Sequence, residues 1–249
     1  MSKDTSDKAK AQNLVKMALS ASFVFDAEPG DLRPAESVLS WLNANARVGR
    51  SPEEVQRHLG VLRDRVDGDS LARRAERKGV DLRRLRMPPH YVREFGLSTF
   101  EFDQSLLSVD IFNAGNELDL GECAVRNAVE VFRVDGKDVA TFVNVAKGVF
   151  DATESHFLFG GPGFSVESYT QLCWRARRAR KPAPAPWDLL WPLVGTERTY
   201  PDSTLAVLPV TQVIRCRRGI VVQTFDDLWT GYQDRYRAAA EALGMKTFW

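Results

Sequence analysis

Residues 159–181, with the sequence FGGPGFSVESYTQLCWRARRARK, combine an aromatic ring with several cations in one short segment. Ser165 is a suitable N-cap, so a helix is predicted from there to about Lys181. At 100° per residue, the apolar half of this helix holds Val166, Tyr169, Leu172, Cys173, Ala176 and Ala179. The opposite half, predicted to be exposed, holds Thr170, Gln171, Trp174, Arg175, Arg177, Arg178 and Lys181.

A tryptophan exposed among cations has the chemistry that binding to single-stranded nucleic acid requires. Guanidinium groups pair with phosphate, and a base stacked on an accessible ring contributes about 1–3 kcal/mol. The helix therefore predicts a nucleic-acid-binding surface. In the alternative interpretation, the cations favour the helix dipole, their stems cover apolar surface, and Trp174 packs on a neighbouring element.

Three further arginines, Arg215, Arg217 and Arg218, surround a turn in the sequence VTQVIRCRRGIVVQTF. A cationic hairpin tip can contact a phosphate backbone, which makes these residues candidate contacts to DNA or RNA. Charged residues are also common at exposed turns simply because water solvates them there. Both interpretations remain open from the sequence.

Glycines precede the predicted basic helix at positions 160, 161 and 163. Backbone amides at a helix N-terminus can bind phosphate. However, G-G-P-G matches neither common phosphate-loop pattern, and Pro162 removes one amide donor. A plain turn is favoured, and no cofactor is predicted.

The alternative class of function is a small-molecule enzyme. Asp151, Glu154 and His156 could form an acid/base group beside Cys123 or Cys173. A sequence cannot establish that these side chains meet, so no catalytic residue is assigned. The three cysteines lack any C-x-x-C pair, and no metal site is predicted.

The net charge of +1 conceals two blocks of opposite sign. Residues 57–93 carry eleven Arg or Lys and five Asp or Glu, whereas residues 94–158 carry four and twelve. The blocks are either two solvated surfaces or a basic face beside an acidic one. An acidic surface over 94–158 would suit a basic protein partner, which makes a docking subunit of a larger complex the third candidate function.

Residues 1–90 are predicted to form a helical region. Pro34 opens one helix with Val38, Leu39 and Leu42 on one face. Ser51, Pro52 and Glu54 have the pattern of a capping box at the start of another.

Residues 91–249 are predicted to form an α+β domain, and the period change near Pro88 marks the boundary. Strands are expected at Phe100–Phe102 and Leu106–Phe112. One hairpin should turn at Asp135-Gly136 and a second near Arg217–Gly219, before a C-terminal helix. The fold class is α+β, with helices first and antiparallel hairpins with packed helices later.

The longest uncharged runs are twelve residues, well short of the roughly 20 that span a bilayer. The apolar run Met17–Phe25 is short for a signal peptide and Asp26 follows it. These features predict no membrane segment and a cytoplasmic location, and the Ala/Arg-rich composition indicates a prokaryotic source. The leading prediction is a cytosolic nucleic-acid-associated protein.

Overall fold

The computed structural model of this chain describes residues 19–27, 31–57, 92–94, 99–103, 105–113, 125, 127–136, 138–225 and 232–247. The helices are α1 (Arg33–Asn45), α2 (Val139–Ala152), α3 (Val166–Arg178), α4 (Asp202–Ala206) and α5 (Tyr232–Ala242), and residues 52–57 are also helical. The strands are β1 (Leu19–Val24), β2 (Val92–Glu94), β3 (Thr99–Phe102), β4 (Ser105–Asn113), β5 (Asn127–Gly136), β6 (Phe157–Pro162), β7 (Leu193–Thr196), β8 (Gln212–Arg215) and β9 (Ile220–Gln223). The predicted α+β class is confirmed.

These nine strands form one antiparallel sheet in the order β2-β4-β5-β1-β6-β7-β9-β8, with β3 also paired to β4. β2 pairs with Ile111–Asn113 of β4 and β3 pairs with Ser105–Ser108. The two short strands therefore share one edge of the sheet. β8 lies at the opposite edge.

β1 lies near the middle of the sheet, hydrogen-bonded to both β5 and β6. All six of its residues are buried. Residues 19–24, within the region 1–90 predicted to be helical, therefore form a strand instead. Alternation did not reveal it, because helices cover both faces of the sheet and both sets of side chains are buried. The predicted boundary near Pro88 lies outside the described residues, and the division into two domains stays a prediction.

The helix start predicted at Pro34 is confirmed, since α1 begins at Arg33 and buries the apolar side chains on one face. The capping box is also present. The Ser51 amide donates to Glu54 Oε2 at 3.1 Å, and the Glu54 amide donates to Ser51 Oγ at 3.2 Å. Both helix starts follow from local chemistry, which is why the sequence predicted them.

The hairpin predicted at Asp135-Gly136 is wrong. β5 ends at Gly136, and α2 begins at Val139 in place of a second strand. Asp138 caps this helix, because its carboxylate accepts from the amides of Ala140 and Thr141 at 2.8 and 3.1 Å. The valines of α2 suit a strand by propensity, but their helical spacing buries them against the sheet, and burial outweighs propensity.

The second predicted hairpin is confirmed as β8 and β9. Its turn closes with a hydrogen bond of 2.8 Å from the Cys216 amide to the Gly219 carbonyl. A Cβ at Gly219 would lie 2.1 Å from the carbonyl oxygen of Thr196. The turn therefore requires glycine because the end of β7 approaches it so closely.

α1 and α2 cover one face of the sheet. α1 contacts α2, β3 and β5, and α2 contacts β1. A Cβ at Gly195 of β7 would lie 2.9 Å from Leu158 Cβ and 3.3 Å from Phe150 Cδ1 of α2. Leu158 thus points towards the α2 layer.

α3 and the segment before β7 cover the other face. Phe159 follows Leu158 in β6 and therefore points the opposite way. Its ring centroid lies 6.0 Å from that of Tyr169 on α3 and 4.4 Å from that of Trp191. This aromatic layer fixes the position of α3 on the sheet.

The C-terminal helix is confirmed over α5. Tyr236 is buried and its hydroxyl donates to the Leu190 carbonyl. Gly244 has φ +63°, the left-handed conformation expected of the glycine that ends a helix. Residues 226–231, which include part of the predicted start of this helix, lie outside the described residues.

Candidate functional site

α3 begins as the sequence predicts. The Ser168 amide donates to Ser165 Oγ at 3.3 Å, and the Ser165 amide donates to Ser168 Oγ at 3.2 Å. Gly163, with φ +73°, forms the turn before the helix. Gly160 and Gly161 lie within β6, so they do not belong to a phosphate-binding loop.

One face of α3 is buried against the aromatic layer. Val166, Tyr169 and Cys173 are almost inaccessible, as predicted. Thr170 is also buried, contrary to the prediction that it is exposed, and its hydroxyl donates to the Val166 carbonyl at 2.7 Å. This bond to the preceding turn satisfies the hydroxyl and lets it face the interior.

The opposite face of α3 is basic and exposed. Gln171, Arg175, Arg178 and Lys181 are exposed as predicted. Residues 171–181 contain five cations and no carboxylate. Among the described residues, no carboxylate forms an ion pair with Arg175, Arg178 or Lys181, so their charges face solvent.

Trp174 and Arg177 lie within α3, but their side chains fall outside the described part of the structure. The stacking role predicted for Trp174 stays a prediction. The same holds for the phosphate contact predicted for Arg177.

α3 ends in a turn that the sequence did not predict. The Lys181 amide donates to the Ala176 carbonyl at 2.9 Å, and Arg180 between them has φ +56°. A side chain in this left-handed conformation costs roughly 1–2 kcal/mol. Arg180 was missed because the helix was predicted to run to Lys181, whereas the proline at 182 disfavours helix at the preceding residue.

The prolyl segment, residues 182–187 with prolines at alternate positions, follows this turn; it is extended and attached to the fold. Ala185 has φ −69° and ψ 148°, the polyproline conformation that alternating prolines favour. Tyr169 Oη donates to the Pro184 carbonyl at 3.0 Å, and Trp191 Nε1 donates to the Pro186 carbonyl at 2.9 Å. The basic end of α3 is therefore held on both sides, by the packed helix before it and by the anchored prolyl segment after it.

The hairpin arginines are engaged within the protein. Arg215 pairs with Asp202 of α4, and the Arg218 guanidinium contacts Glu197 and the Thr153 carbonyl. The Arg217 amide donates to Asp151 Oδ1 at 2.5 Å, and its guanidinium donates to the Asp151 carbonyl at 3.2 Å. These contacts attach the turn to α2, α4 and the end of β7.

His156 is half-buried at the start of β6, with its ring centroid 5.7 Å from that of Trp187. Its Nδ1 is enclosed and has no hydrogen-bond partner among the described residues. Burial lowers the pKa of His156, the Arg218 charge lowers it further, and the charges of Asp26 and Glu197 oppose the shift. A neutral imidazole is the state that burial favours.

Among the described residues, His156 has no acid/base partner of the kind predicted. Asp151 Oδ1 accepts from the Arg217 amide, and within the described part of the chain no hydrogen bond joins His156 to Asp151, Glu154 or a cysteine. A general base needs a group that orients it and an accessible proton path. The acid/base group predicted around His156 is therefore not formed by the described residues.

The free energy of unfolding should fall as the pH drops below about 6.5, because His156 is harder to protonate in the folded protein. The folded-state pKa lies below the ordinary 6.5, so the unfolded chain takes up the proton first as the pH falls below that value. His156→Gln should remove this part of the loss between about pH 6.5 and the lower folded-state pKa. Urea unfolding of both proteins across this range tests it; parallel pH profiles would contradict the assignment.

Several carboxylates of the acidic block 94–158 serve the fold. Glu130 is 2% exposed in the middle of β5, and Asp138 caps α2. Asp151 holds the hairpin turn, and Glu101 lies 3.7 Å from Arg47. These residues do not form one exposed acidic surface, although much of the block lies outside the described residues.

The cysteines and metal-ligating residues form no site in the part of the chain that the structure describes. Cys173 is buried, and burial raises the pKa of the half-buried Cys216. Cys123 lies outside the described residues. No group of three or more His, Cys, Asp or Glu side chains is arranged to hold a metal ion within the described ranges.

None of the described helices has the length and apolar character needed to cross a membrane. Neither family models, nor curated proteins, nor solved structures show a match to this chain.

Proposed function

We propose that this chain is a cytosolic nucleic-acid-binding protein that contacts the phosphate backbone through the exposed face of α3. The observation that carries the proposal is the set of exposed cations at Arg175, Arg178 and Lys181, which have no ion-pair partner among the described residues. Trp174 and Arg177 are proposed as further members of this surface, with the indole as a stacking platform for a base.

The electrostatics of α3 favour a polyanion. A carboxylate near an arginine neutralises its charge and competes with phosphate, and residues 171–181 contain none. The dipole of α3 explains a preference for positive charge in its last turn, worth about 0.3–1 kcal/mol. That preference does not require a run of five cations.

The hairpin arginines are proposed to contribute less to binding than α3. Arg215, Arg217 and Arg218 already donate to carboxylates or carbonyls, so phosphate would have to replace these contacts. The prediction that they bind DNA or RNA is therefore less well supported than the prediction for α3. Within the described ranges, no comparable arrangement of exposed groups supports the enzyme or docking-subunit alternatives.

Replacing Arg175 and Arg178 together by Glu should weaken binding to an oligonucleotide by an order of magnitude or more. Two phosphate contacts become repulsive, and the salt slope should fall by about 1.4 for a single strand or 1.8 for a duplex. Fluorescence anisotropy with single-stranded and duplex oligonucleotides, measured over a range of salt concentrations, gives both quantities.

The matched control replaces Arg237 and Lys246 by Glu, because both are exposed, Arg237 on α5 and Lys246 in the segment that follows it. This variant changes the net charge equally, so any uniform effect of charge appears in both proteins. Equal affinities for the two variants would remove the proposal for α3. Arg215→Ala, in the same assay, measures the contribution of the hairpin.

A further inference from the structure

The turn that ends α3 carries an arginine where the backbone favours glycine. Arg180 has φ +56°, and Asp103 is the only other non-glycine residue with positive φ among the described residues. Aspartate enters this conformation readily because its short side chain can bond locally. Arginine has no such compensation, so its presence needs another reason.

The fold itself does not require the arginine side chain. The two bonds of the turn join backbone groups, from Ala179 to Arg175 at 3.0 Å and from Lys181 to Ala176 at 2.9 Å. Glycine would form both without strain. The Arg180 side chain is exposed and forms no ion pair within the described parts of the chain.

The surroundings of Arg180 make the turn a fixed platform for cations. Arg178 precedes it on α3, and Lys181 follows it on the extended prolyl segment, both exposed. Tyr169 Oη ties that segment to α3 through the Pro184 carbonyl. A backbone held on both sides reduces the ordering cost when cationic side chains bind an anion.

We propose that Arg180 is a further phosphate-contacting residue, and that the left-handed turn is retained because it directs a guanidinium beside Arg178 and Lys181. This inference rests on the proposed binding of nucleic acid by α3 and adds a residue to that surface. The ligand group is a backbone phosphate, which a guanidinium can hold with two parallel hydrogen bonds. Residues with strained backbone cluster at binding and active sites, where the strain places a functional side chain.

The test is Arg180→Gly, which should separate stability from binding. Relief of the left-handed strain should raise the Tm by about 2–4 °C, while affinity for a single-stranded oligonucleotide should fall about tenfold. Arg180→Lys keeps the charge and the strain, so its Tm should match that of the original protein. Its affinity should lie between the other two, because an ammonium binds phosphate as a point charge.

The outcomes distinguish this inference from the function it rests on. If Arg180→Gly binds as tightly as the original protein while the Arg175/Arg178 double variant binds weakly, the role of Arg180 is wrong and the surface on α3 stands. If neither variant loses affinity, the nucleic-acid surface itself is wrong. A lower Tm for Arg180→Gly would overturn the inference by giving the arginine a structural role.

Discussion

Replacing Trp191 by alanine should lower the free energy of unfolding by about 3–5 kcal/mol, which is typical of a fully buried aromatic residue. Trp191 has no exposed surface, and its ring packs against Phe159, Phe164 and Tyr169. Its removal leaves a cavity that the antiparallel sheet on one side and α3 on the other can fill only in part.

The same substitution should also weaken the attachment of the prolyl segment. Trp191 Nε1 donates to the Pro186 carbonyl at 2.9 Å, a bond that alanine cannot make. Urea unfolding followed by circular dichroism gives the change in stability. A loss below about 1 kcal/mol would mean that the aromatic layer is not the core described above.

Trp191→Phe is the matched control, since it keeps an aromatic ring and removes only the indole N–H and part of the volume. Its free energy of unfolding should fall clearly less than that of the alanine variant. The difference between the two variants measures packing, and the residual loss of the phenylalanine variant includes the hydrogen bond, with a net value of about 1 kcal/mol.

The second large effect is expected at Gly160, where alanine should cost about 3 kcal/mol or more. An added Cβ would lie 2.2 Å from the Ser20 carbonyl oxygen and 3.0 Å from the Cα atom of Ala21. These are backbone atoms of β1, which is paired on both sides and cannot move without breaking a ladder. A side chain could rotate away from such a contact, but a central strand cannot.

Gly244→Ala provides the comparison for Gly160→Ala. Gly244 has φ +63°, and nothing lies within 4 Å of an added Cβ. Its substitution should therefore cost only the left-handed strain, roughly 1–2 kcal/mol. Chemical denaturation of both variants gives the two values, and equal losses would argue against the close approach of β6 and β1.

Local sequence signals determined a substantial part of this fold. The capping box at Ser51 and Glu54 and the N-cap at Ser165 depend on contacts between residues close in sequence, and so does the hydrogen bond from Cys216 to Gly219 that closes the hairpin turn. The chemistry of a cap or a tight turn is complete within a few residues, so a sequence contains all of it. These elements formed where they were predicted.

Elements that depend on burial were predicted less well. The valines of α2 and the Asp135-Gly136 pair together indicated a hairpin, and the residues of β1 lay in a region predicted to be helical. In both segments the layers on either side of the sheet decide the conformation. Local propensities differ by only about 1 kcal/mol per residue, so burial of a whole apolar face outweighs them.

The composition of the candidate site was readable from the sequence, but the availability of its charges was not. Arg178 and Arg218 are both arginines in short basic segments, and nothing in the sequence distinguishes their ability to bind an external anion. The fold brings Glu197 and the Thr153 carbonyl to Arg218, whereas α3 carries its exposed arginines without such partners among the described residues. Ion pairing depends on distances of a few ångströms between residues far apart in the chain, which only the tertiary structure determines.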